Sequence, residues 1–181
     1  MKHICRFILV SVFSLLCLSA GAQTSDKSVL RAGMNVSLPN FDCTSLSLEY
    51  GYRVSPSVTT AVKIEEEAAW KGPESWTVSS AVILGYYRPW INKDYWRRLE
   101  AGVGLGYGRI FKSYETKNGV IFYDEYGQVT HHTVRLEVPI RYYIVDTGKI
   151  GLATEVGGIW HFKKDITYYG FRLGLSLAIS F

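Results

Sequence analysis

The chain has 181 residues, with 20 Lys and Arg against 16 Asp and Glu and a formal net charge of +4. Two of those basic residues, Lys2 and Arg6, fall in an N-terminal segment that reads as removable, so the remainder is close to neutral and carries no charge signature of a nucleic-acid binder. Outside that segment no run of about 18 apolar residues occurs, which excludes a helical membrane protein but not one that crosses with strands of about ten alternating residues each.

Lys2, His3 and Arg6 precede an apolar run from Phe7 to Leu18, and Ala20-Gly21-Ala22 offers a small-residue cleavage site before Gln23. This is the pattern of a secretory signal peptide over residues 1–22, leaving one domain over 23–181. Cys5 and Cys17 leave with it, so Cys43 remains alone and no internal disulfide is expected. The residues before Cys17 do not form a lipoprotein cleavage site, so no lipid anchor is read.

Period-2 alternation then recurs along the chain. The first strand sets Leu30, Ala32, Met34, Val36 and Leu38 against Arg31, Gly33, Asn35 and Ser37. The second sets Leu46, Leu48, Tyr50, Tyr52 and Val54 against Ser45, Ser47, Glu49, Gly51 and Arg53. In the third, Val58, Thr60, Val62 and Ile64 oppose Thr59, Ala61, Lys63 and Glu65. The fourth places Trp76, Val78, Ser80, Val82, Leu84 and Tyr86 on the apolar, outward row. The fifth opposes Leu99, Ala101, Val103, Leu105 and Tyr107 to Arg98, Glu100 and a glycine row, Gly102, Gly104, Gly106 and Gly108. In the sixth, Val134, Leu136, Val138, Ile140, Tyr142 and Ile144 oppose Thr133, Arg135, Glu137, Pro139, Arg141 and Tyr143. The seventh carries Ile150, Leu152, Val156, Trp160 and Phe162 against Gly151, Ala153, Glu155, Gly157 and His161.

The last strand, Tyr168 to Phe181, shows the pattern most completely. Tyr169, Phe171, Leu173, Leu175, Leu177, Ile179 and Phe181 make one greasy face, and Tyr168, Gly170, Arg172, Gly174, Ser176, Ala178 and Ser180 make one that is small, polar or charged. Eight strands with apolar faces outward predict an all-β, eight-stranded antiparallel up-and-down transmembrane β-barrel, preceded by a cleaved signal peptide. A soluble barrel would put its apolar face inward and Arg172, Glu137 and Glu155 in water. The joins after strands two, four and six are mostly short and those after three and five long, which places both termini in the periplasm. Tyr52, Trp76, Tyr86, Tyr107, Tyr142, Trp160 and Tyr169 are expected in the interfacial girdles.

The signal peptide, Leu136-Glu137-Val138-Pro139-Ile140, the glycine-rich Gly102-Val103-Gly104-Leu105-Gly106-Tyr107-Gly108 and the terminal aromatic Phe181 together resemble the porin-like, PorT-like outer-membrane β-barrel family of Gram-negative bacteria. The resemblance covers all of the chain after the signal peptide. It implies integral residence in the outer membrane, contact with its lipid, and a role for Phe181 as the signal read by the barrel-assembly machinery. It implies little about activity, because folds of this kind carry many functions.

Four constellations are candidates for function. Glu49, Lys63, Arg135, Glu137, Glu155 and Arg172 fall on inward rows near mid-height, with Arg31, Arg53, Arg98, Glu100 and Arg141 nearer the periplasmic end. An eight-stranded barrel is just wide enough to be filled by side chains, so these charges are expected to pair into a plug. The glycine row departs from the dinucleotide fingerprint, since no helix follows, and is expected to make room for bulky neighbours such as Arg135. Pro139 removes a ladder hydrogen bond and predicts a bulge.

Asn118-Gly119 is a two-residue hairpin signal that sets Leu105 opposite His132, Val103 opposite Val134 and Leu99 opposite Val138. That register also sets Glu100 opposite Glu137, which is unfavourable. It projects a hairpin carrying Phe111, Tyr114, Phe122, Tyr123 and Tyr126, suited to an extracellular protein or glycan partner. His131 and His161 lie near each other at the external rim, two imidazoles short of a metal site for lack of a third ligand. His132 faces lipid with no serine beside it at matching depth, so no catalytic triad is read and no enzyme is expected. No cofactor is expected either. The expected function is therefore that of a monomeric small barrel with a plugged lumen, structural or interacting through external loops. The alternatives are a narrow channel for small solutes or ions and, third, a lipid-modifying enzyme.

Overall fold

The computed structural model of the chain describes residues 27–38, 43–69, 76–89, 94–112, 115–117, 120–122, 129–163 and 166–181. The expected signal peptide lies outside the described residues, as do Tyr114, Tyr123, Tyr126 and the Asn118-Gly119 turn. The strands are β1 (Ser28–Leu38), β2 (Cys43–Ser55), β3 (Val58–Ala69), β4 (Trp76–Tyr87), β5 (Leu99–Lys112), β6 (Glu115–Lys117), β7 (Val120–Phe122), β8 (Val129–Asp146), β9 (Ile150–Lys163) and β10 (Ile166–Ser180). A four-residue helix, α1 (Asp94–Arg97), interrupts the connection from β4 to β5, a segment with no helical periodicity in the sequence.

Eight of these strands close a barrel in the order β1-β10-β9-β8-β5-β4-β3-β2, and β6 and β7 form a separate two-stranded hairpin. All neighbours are antiparallel, and β1 seals against β10 from Val29 opposite Ser180 to Leu38 opposite Phe171. Closure gives every strand two partners, which satisfies the backbone polar groups that lipid could not. Met34, Leu46, Val62, Ile64, Val103, Leu105, Leu175 and Leu177 are all exposed on the outer wall. Charged side chains fill the inside instead. So large a continuous apolar exterior around a polar interior is the arrangement of a barrel dissolved in lipid, and water would not tolerate it.

β4 is turned over relative to the sequence expectation. Val78, Ser80, Val82, Leu84 and Tyr86 point into the barrel, while Ile83 and Tyr87 are exposed outside at 70% and 57%. The physical reason lies on the neighbouring strand. A Cβ added to Gly104 would come within 2.8 Å of Val82 Cγ1, and one added to Gly102 within 2.5 Å of Tyr86 Cδ1. The inward glycine row of β5 is thus the hollow that the inward bulk of β4 fills, a role sequence reading had assigned to Arg135. Tyr86, expected in an aromatic girdle, is 2% exposed and belongs to the lumen, and Trp76 shares its inward register. Tyr87, Tyr50, Tyr52 and Tyr142 face outward toward the end that carries the chain termini.

The β5–β8 register also differs. Leu105 faces Leu136, Tyr107 faces Val134 and Leu99 faces Tyr142. The hairpin register predicted from Asn118-Gly119 holds between β6 and β7, where Lys117 faces Val120 and Glu115 faces Phe122. It does not continue into the barrel wall. Electrostatics explains the shift: Glu100 now faces Arg141, and Glu137 faces Gly104, so the Glu100–Glu137 confrontation disappears.

Pro139 makes no bulge. The β5–β8 ladder simply lapses at Gly102 and Val103 and resumes in the same register. On its other side Pro139 faces Gly157, whose missing side chain is required, since a Cβ there would lie 2.7 Å from the Val138 carbonyl oxygen. The irregularity of β8 falls later, between Tyr143 and Val145. The β8–β9 turn then uses Gly148 at a φ of 84°, a conformation glycine adopts without steric cost.

Candidate functional site

The lumen holds one connected ion-pair network. Toward the terminal end, Arg31 Nη1 donates to Glu49 Oε1 at 2.5 Å and Nη2 to Glu100 Oε2 at 3.2 Å. Arg141 donates through Nη2 to Glu49 Oε2 at 2.8 Å, and the Tyr86 hydroxyl donates to the same oxygen at 2.7 Å. The Arg31 and Arg141 guanidinium carbons lie 5.3 and 4.5 Å from the Tyr86 ring centroid, so one aromatic ring meets both cations.

Toward the hairpin end, Arg135 is the hub. Its Nη2 bonds both Glu65 and Glu137, the latter at 2.8 Å, and its Nη1 donates to Ser80 Oγ at 2.5 Å. Arg172 Nη2 donates to Glu65 Oε2 at 2.9 Å, and Lys63 pairs with Glu137 and, at 3.6 Å, with Glu65. Glu155 joins the two layers by accepting from Arg141 Nε at 2.6 Å and facing Arg172 Nη1 at 3.6 Å.

Each of the five carboxylates in this network therefore has at least two cationic partners. Glu49 and Glu100 each have Arg31 and Arg141, Glu155 has Arg141 and Arg172, and Glu65 and Glu137 each have Lys63, Arg135 and Arg172. Desolvating an ion costs several kcal/mol by itself, so interior charges persist only when geometry returns that cost through multiple contacts. Arg135, Lys63, Glu49 and Glu137 are among the most completely buried side chains described. An arrangement like this can brace the wall and obstruct passage.

Nine of the network residues were legible as inward charges: Glu49, Lys63, Arg135, Glu137, Glu155 and Arg172 near mid-height, and Arg31, Glu100 and Arg141 nearer the terminal end. Glu65 was read as inward but not singled out, and Glu67 was missed. Glu67 is buried and accepts from Ser37 Oγ at 2.8 Å. The run Glu65-Glu66-Glu67 reads like a solvated loop, yet it continues the inward parity of β3, which extends to Ala69. Arg53 and Arg98 sit at the terminal rim instead of in the network, with Arg98 Nη1 donating to the Ile144 carbonyl at 2.9 Å.

His131 and His161 both point inward and are buried. They are engaged separately: Lys163 Nζ lies 2.7 Å from His131 Nδ1, and Thr133 Oγ1 lies 3.0 Å from His161 Nδ1. An ammonium beside one imidazole disfavours a cation between them. Among the described residues no group of three His, Cys, Asp or Glu is spaced to hold a metal ion.

The inversion of β4 creates a feature the sequence reading lacked. Glu66 faces Ser79, Ser79 faces Arg109 and Arg109 faces His132, so four polar residues form one row across the outer wall. Ser79 thus does lie at the depth of His132, but two strands away with Arg109 between them. Its hydroxyl donates to Glu66 Oε2 at 2.9 Å, while His132 contacts the Tyr107 hydroxyl. Serine and imidazole make no nucleophile–base pair here. Of the aromatic hairpin, Phe111 is described at the end of β5, with the Arg109 guanidinium 4.3 Å from its ring centroid, and Phe122 is in β7.

No protein-family model matches the chain, and no curated protein does. Solved structures do. Neisserial surface protein A is similar at 12% identity with a TM-score of 0.54, covering 88% of this chain and all of that one. The N-terminal β-barrel domain of OprF from Pseudomonas aeruginosa is similar at 11% identity with a TM-score of 0.52, over the same shares. A major outer membrane protein from Thermus thermophilus gives 10% identity and 0.53 over 86% of this chain and 98% of that one. At such identities the likeness is one of fold: this chain is a small eight-stranded barrel of the outer-membrane type.

Proposed function

We propose that the protein is an integral outer-membrane barrel whose lumen is a structural plug and whose role is exercised at its surface. The observation that carries this reading is the unbroken ion-pair network from Arg31 to Lys63, in which Glu49, Glu65, Glu100, Glu137 and Glu155 each meet at least two cations. The apolar outer wall supports lipid as its solvent, and the outer-membrane barrels of similar fold support the compartment. In this reading the termini are periplasmic, Phe181 addresses the assembly machinery, and the segment from Phe111 to Gly127 meets an extracellular protein or glycan. The protein acts as a monomer and not as an enzyme, and its finer kinship is with PorT-like barrels.

The test is refolding in detergent, with heat-modifiable gel migration and hydrogen exchange as controls for a closed barrel, followed by planar-bilayer conductance on the same sample. A compact, exchange-resistant species without current is the expected result. A steady current from that species overturns the plug and makes the protein a narrow channel, with Glu49, Lys63, Arg135 and Arg172 as its pore lining.

A further inference from the structure

At the end that carries the chain termini, a cavity of about 360 Å³ opens between the β2–β3 and β8–β9 turns and the segment before β5. That volume is at the lower end of the range for small-molecule sites. Its charged lining is Arg31, Arg53, Arg88, Arg97, Glu100 and Asp146. Four guanidinium groups and two carboxylates line one concave, partly desolvated space, with Arg88 paired to Asp146 and Arg31 to Glu100 and, behind it, to Glu49.

The lining is also held in shape. Arg88 Nη2 pairs with Asp146, its Nε donates to the Arg97 carbonyl, and its guanidinium carbon lies 4.8 Å from the Tyr143 ring centroid. Those contacts occupy Nε and Nη2 of Arg88 and leave Nη1 to another acceptor. At the floor, buried Arg31 spends Nη1 and Nη2 on Glu49, Glu100 and Tyr143, while its Nε has no hydrogen-bond partner. Guanidinium forks fixed in place match the oxygens of phosphate groups two at a time and lose little freedom on binding.

We infer that this vestibule is a binding site for a small phosphate-bearing anion, gripped by Arg53, Arg88 and Arg97 at the mouth and by the Arg31 end of the plug at the floor. The site is independent of whether the lumen conducts. Its phosphate comes from a soluble solute or from a lipid headgroup at the rim, and the experiment separates the two.

The protein is refolded in amine-oxide micelles, which contain no phosphate, and titrated calorimetrically with pyrophosphate. Saturable one-to-one binding, weakened at least tenfold in an Arg53→Gln/Arg97→Gln variant that keeps heat-modifiable migration, identifies a soluble ligand. Silence toward pyrophosphate, with phosphatidylglycerol retained stoichiometrically through detergent exchange by the parent and lost by the variant, identifies a headgroup. Should the double variant fail to fold, Ser180→Asp puts a negative charge in the same lining and is expected to weaken binding likewise. Absence of saturable binding in both arms, or equal binding by the folded variants, overturns the inference.

Discussion

Replacing Arg135 by Met tests whether the plug supports the wall. Arg135 is 0% exposed and bonds Glu65, Glu137 and Ser80 from one guanidinium. Breaking a buried pair by removing one partner costs about 3–5 kcal/mol. Here Glu65 and Glu137 each keep Lys63 and Arg172, so neither carboxylate is orphaned and the low end applies, about 3 kcal/mol. Methionine fills much of the vacated volume, so the cavity contribution is small. With a urea dependence of about 2 kcal/mol per M, the unfolding midpoint falls by about 1.5 M. The assay is urea unfolding in micelles, followed by far-ultraviolet dichroism and gel migration. Arg135→Lys, which keeps the charge and loses the fork, is expected to fall between the two. A midpoint unchanged for Arg135→Met within about 0.5 kcal/mol would refute the bracing argument.

Arg172→Leu removes the cation that links Glu65 to Glu155, and is expected to destabilise folding without opening a conductance; unchanged melting accompanied by a new current would sink the plug. Gly106→Ala places a Cβ 2.1 Å from the Ala81 carbonyl oxygen and should cost more than about 2 kcal/mol or prevent folding, whereas Gly85→Ala, with nothing within 4 Å, should stay within about 0.5 kcal/mol of the parent. Equal stability of the two variants would contradict the close approach of β4 and β5. Single cysteines at Ile83 and Leu84, carrying a fluorophore, should report opposite environments, with only the label at Ile83 quenched by a lipid-chain quencher; the reverse pattern would restore the orientation of β4 read from its apolar row.

The barrel was legible because lipid imposes one rule on every strand: apolar outside, small or polar inside, with period 2. In β10 the rule is obeyed from Tyr169 onward, and Leu173, Leu175, Leu177 and Ile179 are exposed outside while Arg172, Ser176 and Ala178 are buried. In β4 it misleads. Val78, Val82 and Leu84 are the more apolar row, yet the interior of a small barrel also needs bulk, and the glycines of β5 give it room on that side alone. A rule about solvent cannot anticipate a neighbour's missing side chains.

Register shows the same division. The register expected from Asn118-Gly119 is the one found between β6 and β7, the short strands on either side of it. That register does not hold between β5 and β8, where Glu100 faces Arg141 and not Glu137. The sequence by itself determined that eight strands alternate, that their charges turn inward and that those charges nearly balance, since each follows from parity and composition. Which carboxylate meets which guanidinium, which way β4 faces, and that Arg31 of β1, Arg53 of β2 and Arg88 and Arg97 of the β4–β5 connection surround one vestibule were decided only by closure of the sheet. Closure brings strands distant in the chain to the same height, and no local pattern encodes that height.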